Sequence, residues 1–336
     1  MKPDARRMHQ KQIMSTNRFG LVAVLFMALP LGAQDEATFR AGVNLVKIDA
    51  QVIDGRNLVD GLTRDDFIVL DEGTPRPLEY FAHDTEPLRI VVLLDVSGSM
   101  KMLLAEVAAA ANKALSLLAP QDEVAVLLFA RSTLVHQEFT TDRKLAAQAI
   151  DDARYEKRPG SATDINSALV EASRYLREAS AGKTGRRAIV ILTDNASMSY
   201  RVPDEKVMEA IYSSDAVLEA MVTKNAQQPA KTKAGSNPDF TFADVFAWAE
   251  QSGGEVLRVE KGGGEAFERA MERLRTRYSL HYRAPNVPDG AGSFRRIEVR
   301  LSDKARRVHG KVQVRARAGY FLAPPPTFVS EPAAKN

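Results

Sequence analysis

The strongest constraint on the fold is a regular alternation of apolar runs and amphipathic stretches between residues 87 and 277. The first run, Leu88–Leu94, is almost continuously aliphatic, which is typical of a strand buried on both faces of a parallel sheet. Further predicted strands lie near 124–129, 188–193, 216–222 and 256–259, and predicted helices near 103–118, 143–153, 165–179, 205–211, 242–251 and 265–277. The alternation predicts an α/β fold, Rossmann-like, with a doubly wound, mainly parallel sheet and helices on both faces.

Two shorter segments flank this domain and have the period of strands that are exposed on one face. Val46, Ile48 and Val52 alternate with polar residues before the domain, and a period of two returns after Arg277. Each flank is too small to bury a core by itself. We therefore predict that the two flanks pair into one small β-sandwich-like module.

The amino terminus has the features of a Sec-type signal peptide. A basic stretch precedes the apolar run Phe19–Leu31, and small residues follow as far as Ala33. A bilayer-spanning helix needs about 20 apolar residues, so a retained anchor is the weaker alternative. We predict cleavage near Ala33, no membrane span in the remaining chain, and a secreted, periplasmic or cell-surface location.

These patterns divide the chain into five predicted parts. They are a signal peptide (1–33), an N-terminal β segment (34–86), the α/β domain (87–277), a C-terminal β segment (278–322) and a disordered tail (323–336).

Charge and cysteine content exclude some functions. Residues 1–33 hold five cations and one anion, a net charge of +4 against +3 for the whole chain, so the remainder carries about −1. With no basic stripe left after the signal peptide, we expect no nucleic-acid binding. The chain has no cysteine, which excludes disulfides, thiolate metal sites and a cysteine nucleophile.

Three segments place oxygen-bearing side chains at predicted strand or helix ends. Asp95, Ser97 and Ser99 follow the buried strand directly, and Gly98 permits a tight loop between them. Thr163 lies just before the predicted helix 165–179, and Asp194 follows the predicted strand 188–193. Because parallel strands end at one sheet edge, these hard oxygens would converge on a divalent cation, with Mg²⁺ first and Mn²⁺ or Ca²⁺ as alternatives.

The order Asp95-x-Ser97-x-Ser99, Thr163, Asp194 resembles the metal-ion-dependent adhesion site (MIDAS) of von Willebrand factor A domains. The resemblance implies an interaction module without catalytic activity. It also implies that Ser97 and Ser99 bind the metal directly, that Asp95 and Asp194 act largely through water, and that an Asp or Glu of a protein partner completes the site.

Two other features of the sequence bear on this resemblance. The stretches Gly61–Phe67 and Arg317–Phe321 resemble those of secreted von Willebrand factor A-related proteins of soil bacteria. Asn195 departs from the pattern, because glycine commonly follows the last acid in such domains, which leaves the shape of this loop open.

Several alternatives remain at this stage. Ser97, Ser99 or Thr163 could merely cap helices. The chain could be an assembly protein in which the metal only stabilises the fold. A phosphatase-type hydrolase is disfavoured, because Ser97 stands where the haloacid dehalogenase type needs a second Asp. The five histidines include no His-Glu-x-x-His pair, which gives little support to a zinc hydrolase, and Trp248 is expected in the core.

Overall fold

The structure is a computed structural model, and it describes residues 45–55, 57–197, 202–229, 243–259, 262–286 and 292–322. These residues all belong to one compact unit, 42–336. The predicted signal peptide, the predicted tail and the greater part of the tract Lys224–Pro238 lie outside the described residues.

The strands are β1 (Leu45–Asp54), β2 (Asn57–Leu58), β3 (Phe67–Asp71), β4 (Thr74–Arg76), β5 (Leu78–His83), β6 (Leu88–Asp95), β7 (Glu123–Phe129), β8 (Thr133–Thr140), β9 (Arg186–Thr193), β10 (Ala216–Thr223), β11 (Val256–Val259), β12 (Tyr278–Arg283), β13 (Phe294–Leu301), β14 (Gln313–Arg315) and β15 (Gly319–Phe321). The helices are α1 (Lys101–Leu115), α2 (Arg143–Asp152), α3 (Ile165–Ala179), α4 (Asp204–Ser213), α5 (Val245–Ser252), α6 (Gly263–Arg275) and α7 (Asp303–His309).

The central sheet has the strand order β11-β10-β9-β6-β7-β8. Strands β6, β7, β9, β10 and β11 pair in parallel, and β8 adds an antiparallel edge to β7. From β6 the chain runs first towards β7 and then returns to the other side at β9, so the strand order reverses beside β6. In open α/β sheets, ligands bind outside the carboxyl ends of the strands at such a reversal.

Both faces of this sheet are buried, as the aliphatic run of β6 predicts. Ile90, Val92 and Leu94 face one core with α1, α2 and α6, while Val91 and Leu93 face a second core with α3, α4 and α5. Successive side chains of a strand point to opposite faces, so a strand covered on both sides must be apolar throughout. The prediction of a doubly wound sheet is confirmed.

The flanking strands form two antiparallel sheets around a third core. One sheet has the order β14-β1-β12-β5, with β2 paired to β1, and the other has the order β15-β13-β3-β4. Each sheet thus combines strands from before and after the α/β domain, which alternate in the first sheet and meet at the β13–β3 pair in the second. Ile48, Val69, Leu280 and Ile297 meet in the shared core. The fold class predicted from the sequence, including this sandwich-like module, is confirmed.

Strand β8 and helix α7 are among the elements that have no counterpart in the prediction. Strand β8 lies at a sheet edge, and its residues are half-buried or exposed, so it lacks the apolar run that marks the interior strands. Helix α7 has seven residues, fewer than a hydrophobic period needs to become visible in a sequence. In the part of the chain that the structure describes, no helix combines the length and apolar character needed to cross a bilayer.

Candidate functional site

The carboxyl ends of β6 and β9 bring two acids to the same edge of the sheet. Asp95 is the last residue of β6 and is fully buried, and Asp194 follows Thr193 at the end of β9. The two strands are neighbours in parallel register, with Leu94 opposite Leu192. The sheet therefore positions both carboxylates at the point where the strand order reverses.

The loop after β6 turns its hydroxyls towards Asp194. The Ser97 N–H donates to Asp95 Oδ1 at 2.9 Å, which begins the turn, and residues Gly98–Met100 continue it as a 3₁₀ turn into α1. The hydroxyl oxygens of Ser97 and Ser99 are 3.2 Å apart. Ser99 Oγ donates to Asp194 Oδ2 at 2.6 Å, so oxygens of three predicted ligands form a continuous chain of contacts.

Asp95 is held at its second oxygen by a residue that the sequence analysis did not single out. Thr193 Oγ1 donates to Asp95 Oδ2 at 2.9 Å across β6 and β9. Burial raises the pKa of Asp95 to about 6, and the charge of Asp194 adds to this, while hydrogen bonds from Ser97 and Thr193 lower it. A cation at this edge would offset the cost of burying Asp95 near the charge of Asp194. The only sequence signal for Thr193 is that it precedes the acid at the strand end.

Thr163 lies on a third loop, and its backbone carbonyl contacts the loop that follows Asp194. The Asp164 N–H donates to Ala130 O at 2.8 Å, which ties this loop to the end of β7. Thr163 is 5% exposed, and its carbonyl accepts from Ser197 Oγ at 3.3 Å, next to the Asp194 loop. Ala162 has φ of 84°, a left-handed conformation that costs a residue with a Cβ about 1–2 kcal/mol. The loop therefore lies beside Asp194 with a strained backbone conformation at Ala162.

Asn195 occupies the position where glycine was expected, and the structure gives the reason. Its φ is 62°, in the left-handed region that glycine and asparagine tolerate best. Its buried amide Nδ2 donates to Gln227 O at 2.7 Å and to Ala243 O at 2.6 Å. Asparagine therefore allows the turn and also fixes two segments that follow β10.

The oxygen spacing fits a small divalent cation. Adjacent ligands of an octahedral Mg²⁺ with bonds of about 2.1 Å lie about 3.0 Å apart, close to the 3.2 Å between Ser97 Oγ and Ser99 Oγ. The 2.6 Å contact of Ser99 Oγ with Asp194 Oδ2 is a hydrogen bond that holds Asp194 beside the two serines. Ser99 is exposed, so water or a ligand can reach it. Within the described residues no cluster of three or more His, Asp or Glu side chains is placed to hold a metal. The proposed set combines two carboxylates with three hydroxyls.

The fold and this edge define a class of protein: an α/β domain with a cation-type oxygen cluster at its topological switch point. Residues 90–197 match the family model of the von Willebrand factor type A domain. This region, about a third of the chain, is therefore similar to a von Willebrand factor type A domain. No curated protein matches the chain.

Several solved structures are similar to the chain. BatB from Bacteroides thetaiotaomicron has 16% identity, with 56% of this chain and 97% of that chain covered and a TM-score of 0.42. A von Willebrand factor type A protein from Catenulispora acidiphila has 12% identity, with 83% and 75% covered and a TM-score of 0.44. Proximal thread matrix protein 1 from the mussel byssus, with a zinc-occupied MIDAS motif, has 13% identity, with 58% and 50% covered and a TM-score of 0.45.

Proposed function

We propose that this protein is an exported, non-enzymatic module that binds a partner protein through a divalent cation. Von Willebrand factor A domains generally mediate protein–protein interactions, which supports the coarse function. The observation that carries the finer proposal is the contact chain from Ser97 through Ser99 to Asp194 at the sheet edge. It supplies hard oxygens at a cation's spacing on a surface that a partner can reach.

In this proposal the five residues have unequal roles. Ser97 and Ser99 bind the cation directly, as the resemblance implies, and Ser99 is exposed. Asp95 is buried with both carboxylate oxygens accepting hydrogen bonds, so it acts through water, as does Asp194. Thr163 joins directly or through water. The cation, Mg²⁺ first and Mn²⁺ or Ca²⁺ as alternatives, supplies the positive charge that attracts an Asp or Glu of the partner.

Export is the part of the proposal that rests on the sequence alone. The basic and apolar stretches before Ala33 support a cleaved signal peptide and a secreted, periplasmic or cell-surface location. Mass spectrometry of the amino terminus of protein isolated from an exporting host tests this. A mature chain that begins near residue 34 would support export, and one that retains the apolar run would show a tethered protein.

Metal binding is tested first with the metal alone. We expect Mg²⁺ or Mn²⁺ to bind the full chain in calorimetry and raise its melting temperature, because the bound state gains stability by mass action. Ser99→Ala should weaken binding at least about tenfold, since a direct ligand is lost. Ser116→Ala is the matched control, because its exposed hydroxyl only contacts Lys113 O at the far end of α1. Equal metal affinity in both variants would contradict the assignment.

The partner-binding part is tested separately, by measuring binding to immobilised surface or matrix proteins in Mg²⁺ and in chelator. We expect binding only with Mg²⁺, and its loss in Asp95→Ala. Affinity that persists in chelator and in Asp95→Ala would overturn the proposal. A large metal-dependent rise in melting temperature without any partner would favour an assembly protein whose metal only stabilises the fold.

A further inference from the structure

A second surface feature lies away from the contact chain of the candidate metal site. A groove of about 360 Å³ runs between α4 and α5 and reaches the first residue of β13 and the end of β15. We call it the aromatic groove. Its volume lies within the range of pockets that take a small ligand or a few side chains.

Aromatic rings form much of its wall. The ring centroid of Phe294 lies 5.4 Å from that of Tyr212 and 5.4 Å from that of Phe321. The centroids of Tyr212 and Phe321 are 6.2 Å apart. Trp248 lines the same groove and is otherwise buried, at 2% exposed. Phe294 is 42% exposed, which is unusual for a phenylalanine within a cluster.

A glycine on the neighbouring strand leaves room for the ring of Phe294. A Cβ added at Gly319 would lie 2.3 Å from Phe294 Cζ and 2.4 Å from Arg295 O. Only glycine therefore allows β15 to pair with β13 while the phenylalanine ring lies across it. The ring of Phe294 therefore occupies space that a side chain at position 319 would need.

The rim of the groove is acidic. Asp204, Glu205 and Asp244 all line it, and none of its lining residues is basic in the part of the chain that the structure describes. Asp204 Oδ1 accepts from Asn166 Nδ2 at 3.0 Å, and Asp244 Oδ1 accepts from the Ala247 N–H at 3.0 Å, so these two carboxylates have fixed positions. Glu205 is exposed.

One nearby cation shows that this cluster already accommodates positive charge. The guanidinium of Arg317 lies 5.4 Å from the centroid of the Tyr212 ring. Its own charge is matched by Asp215 at 2.8 Å. Aromatic faces and carboxylates together favour a cationic group with an apolar body.

We propose that the aromatic groove binds a lysine or arginine side chain of a partner protein, together with an apolar residue beside it. The charge complementarity selects a cation, and the rings contribute both cation–π attraction and apolar contact. The volume exceeds that of one side chain, which is why the occupant is a segment with an apolar neighbour. This surface is distinct from the candidate metal site and does not depend on the metal.

Trp248 provides the measurement, since it is the single tryptophan of the chain. The probes are the tripeptides acetyl-Leu-Arg-Leu-amide and acetyl-Leu-Glu-Leu-amide, titrated into the full chain in chelator while Trp248 fluorescence is recorded. We expect a saturable change with the arginine peptide and at least about tenfold weaker binding of the glutamate peptide. Added salt should weaken the arginine peptide's binding.

Variants locate the binding. Phe294→Ala should weaken the arginine peptide about tenfold, and Glu205→Gln several-fold without any effect on the fold, because Glu205 is exposed. Val308→Ala is the matched control, an apolar residue on α7 that is 72% exposed and lies outside the groove. Equal binding of both peptides, or arginine binding unchanged in both groove variants, would overturn the proposal. So would a dimer in sedimentation that Phe294→Ala abolishes, because the occupant would then be a second copy.

Discussion

Asn195 combines two functions in one residue, a left-handed turn and a pair of long-range hydrogen bonds. Glycine would adopt the same backbone conformation at no steric cost, but it would leave the carbonyls of Gln227 and Ala243 without the amide. The residue that departs from the glycine pattern therefore adopts a backbone conformation open to glycine and adds two hydrogen bonds.

A graded pair of substitutions tests this. We expect Asn195→Gly to lower the free energy of unfolding by about 1–3 kcal/mol through the lost hydrogen bonds. Asn195→Ala should cost about 1 kcal/mol more, because alanine is strained in the left-handed region. Urea unfolding measures both, and metal affinity should remain within about threefold for Asn195→Gly. The reverse order of stability would show that the backbone conformation here is not left-handed.

At the scale of elements, the C-terminus of α6 is anchored by a buried arginine from β9. The last carbonyls of a helix have no partner within the helix. Arg186 Nη1 donates to Leu274 O at 2.9 Å, and its Nη2 donates to Arg275 O at 3.0 Å. Arg186 is 4% exposed, so its charge faces the negative end of the helix dipole within the protein.

Replacing this arginine should weaken the anchor. We expect Arg186→Met, which keeps most of the side-chain volume, to lower the free energy of unfolding by about 2–4 kcal/mol. Arg269→Met on the exposed face of the same helix is the control and should change it by less than about 0.5 kcal/mol. Urea unfolding followed by circular dichroism measures the free energy of unfolding of both variants. An equal, small effect in both variants would mean that the helix end is held by other contacts.

At the scale of the whole molecule, the α/β domain and the β-module are joined by buried charge. Arg277, just after α6, is 1% exposed and donates to Asp49 O on β1 at 3.0 Å. Its Nη1 lies 3.5 Å from Glu219 Oε1 on β10, and Glu219 Oε2 accepts from the Glu255 N–H at 3.0 Å. One arginine thus contacts strands of both parts.

This joint predicts a pH dependence of stability. Burial raises the pKa of Glu219 to about 7 from an ordinary value of 4.5, although the charges of Arg277, Arg273 and Arg315 oppose the shift. Between these two values the folded chain holds a proton that the unfolded chain releases. The contribution of Glu219 is therefore fully present below about pH 4.5 and is lost as the pH rises through about 7, by at most about 3 kcal/mol.

Urea unfolding at about pH 4.5 and about pH 8, with chelator present, measures this loss. The comparison with Glu219→Gln isolates the contribution of Glu219, because the variant cannot titrate at this position. Glu250→Gln, an exposed carboxylate on α5, is the matched control and should keep the pH slope of the parent chain. A slope in Glu219→Gln equal to that of the parent would show that Glu219 is ionised throughout this range.

The sequence alone determined the interior strands and the helices of the α/β domain and their order along the chain, but not the edge strand β8. An interior strand such as β6 must be apolar on both faces, and an amphipathic helix such as α3 must repeat every 3.6 residues, so both patterns are local and readable. The convergence of Asp95, Ser99 and Asp194 was predictable for a related reason. Parallel strands end at one edge of a sheet, so residues that directly follow such strands in the sequence can be predicted to lie at that edge.

Only the tertiary structure decided which side chains meet within that frame. Thr193 bonds Asp95 across two strands, Asn195 reaches Gln227 and Ala243, and Phe294 lies over Gly319. Such contacts depend on the register and spacing of packed elements. Neither register nor spacing produces a periodic pattern in the sequence. The sequence predicts that oxygens gather at the sheet edge. The packing fixes their distances, the turn that Asn195 stabilises and the aromatic groove beside α4 and α5.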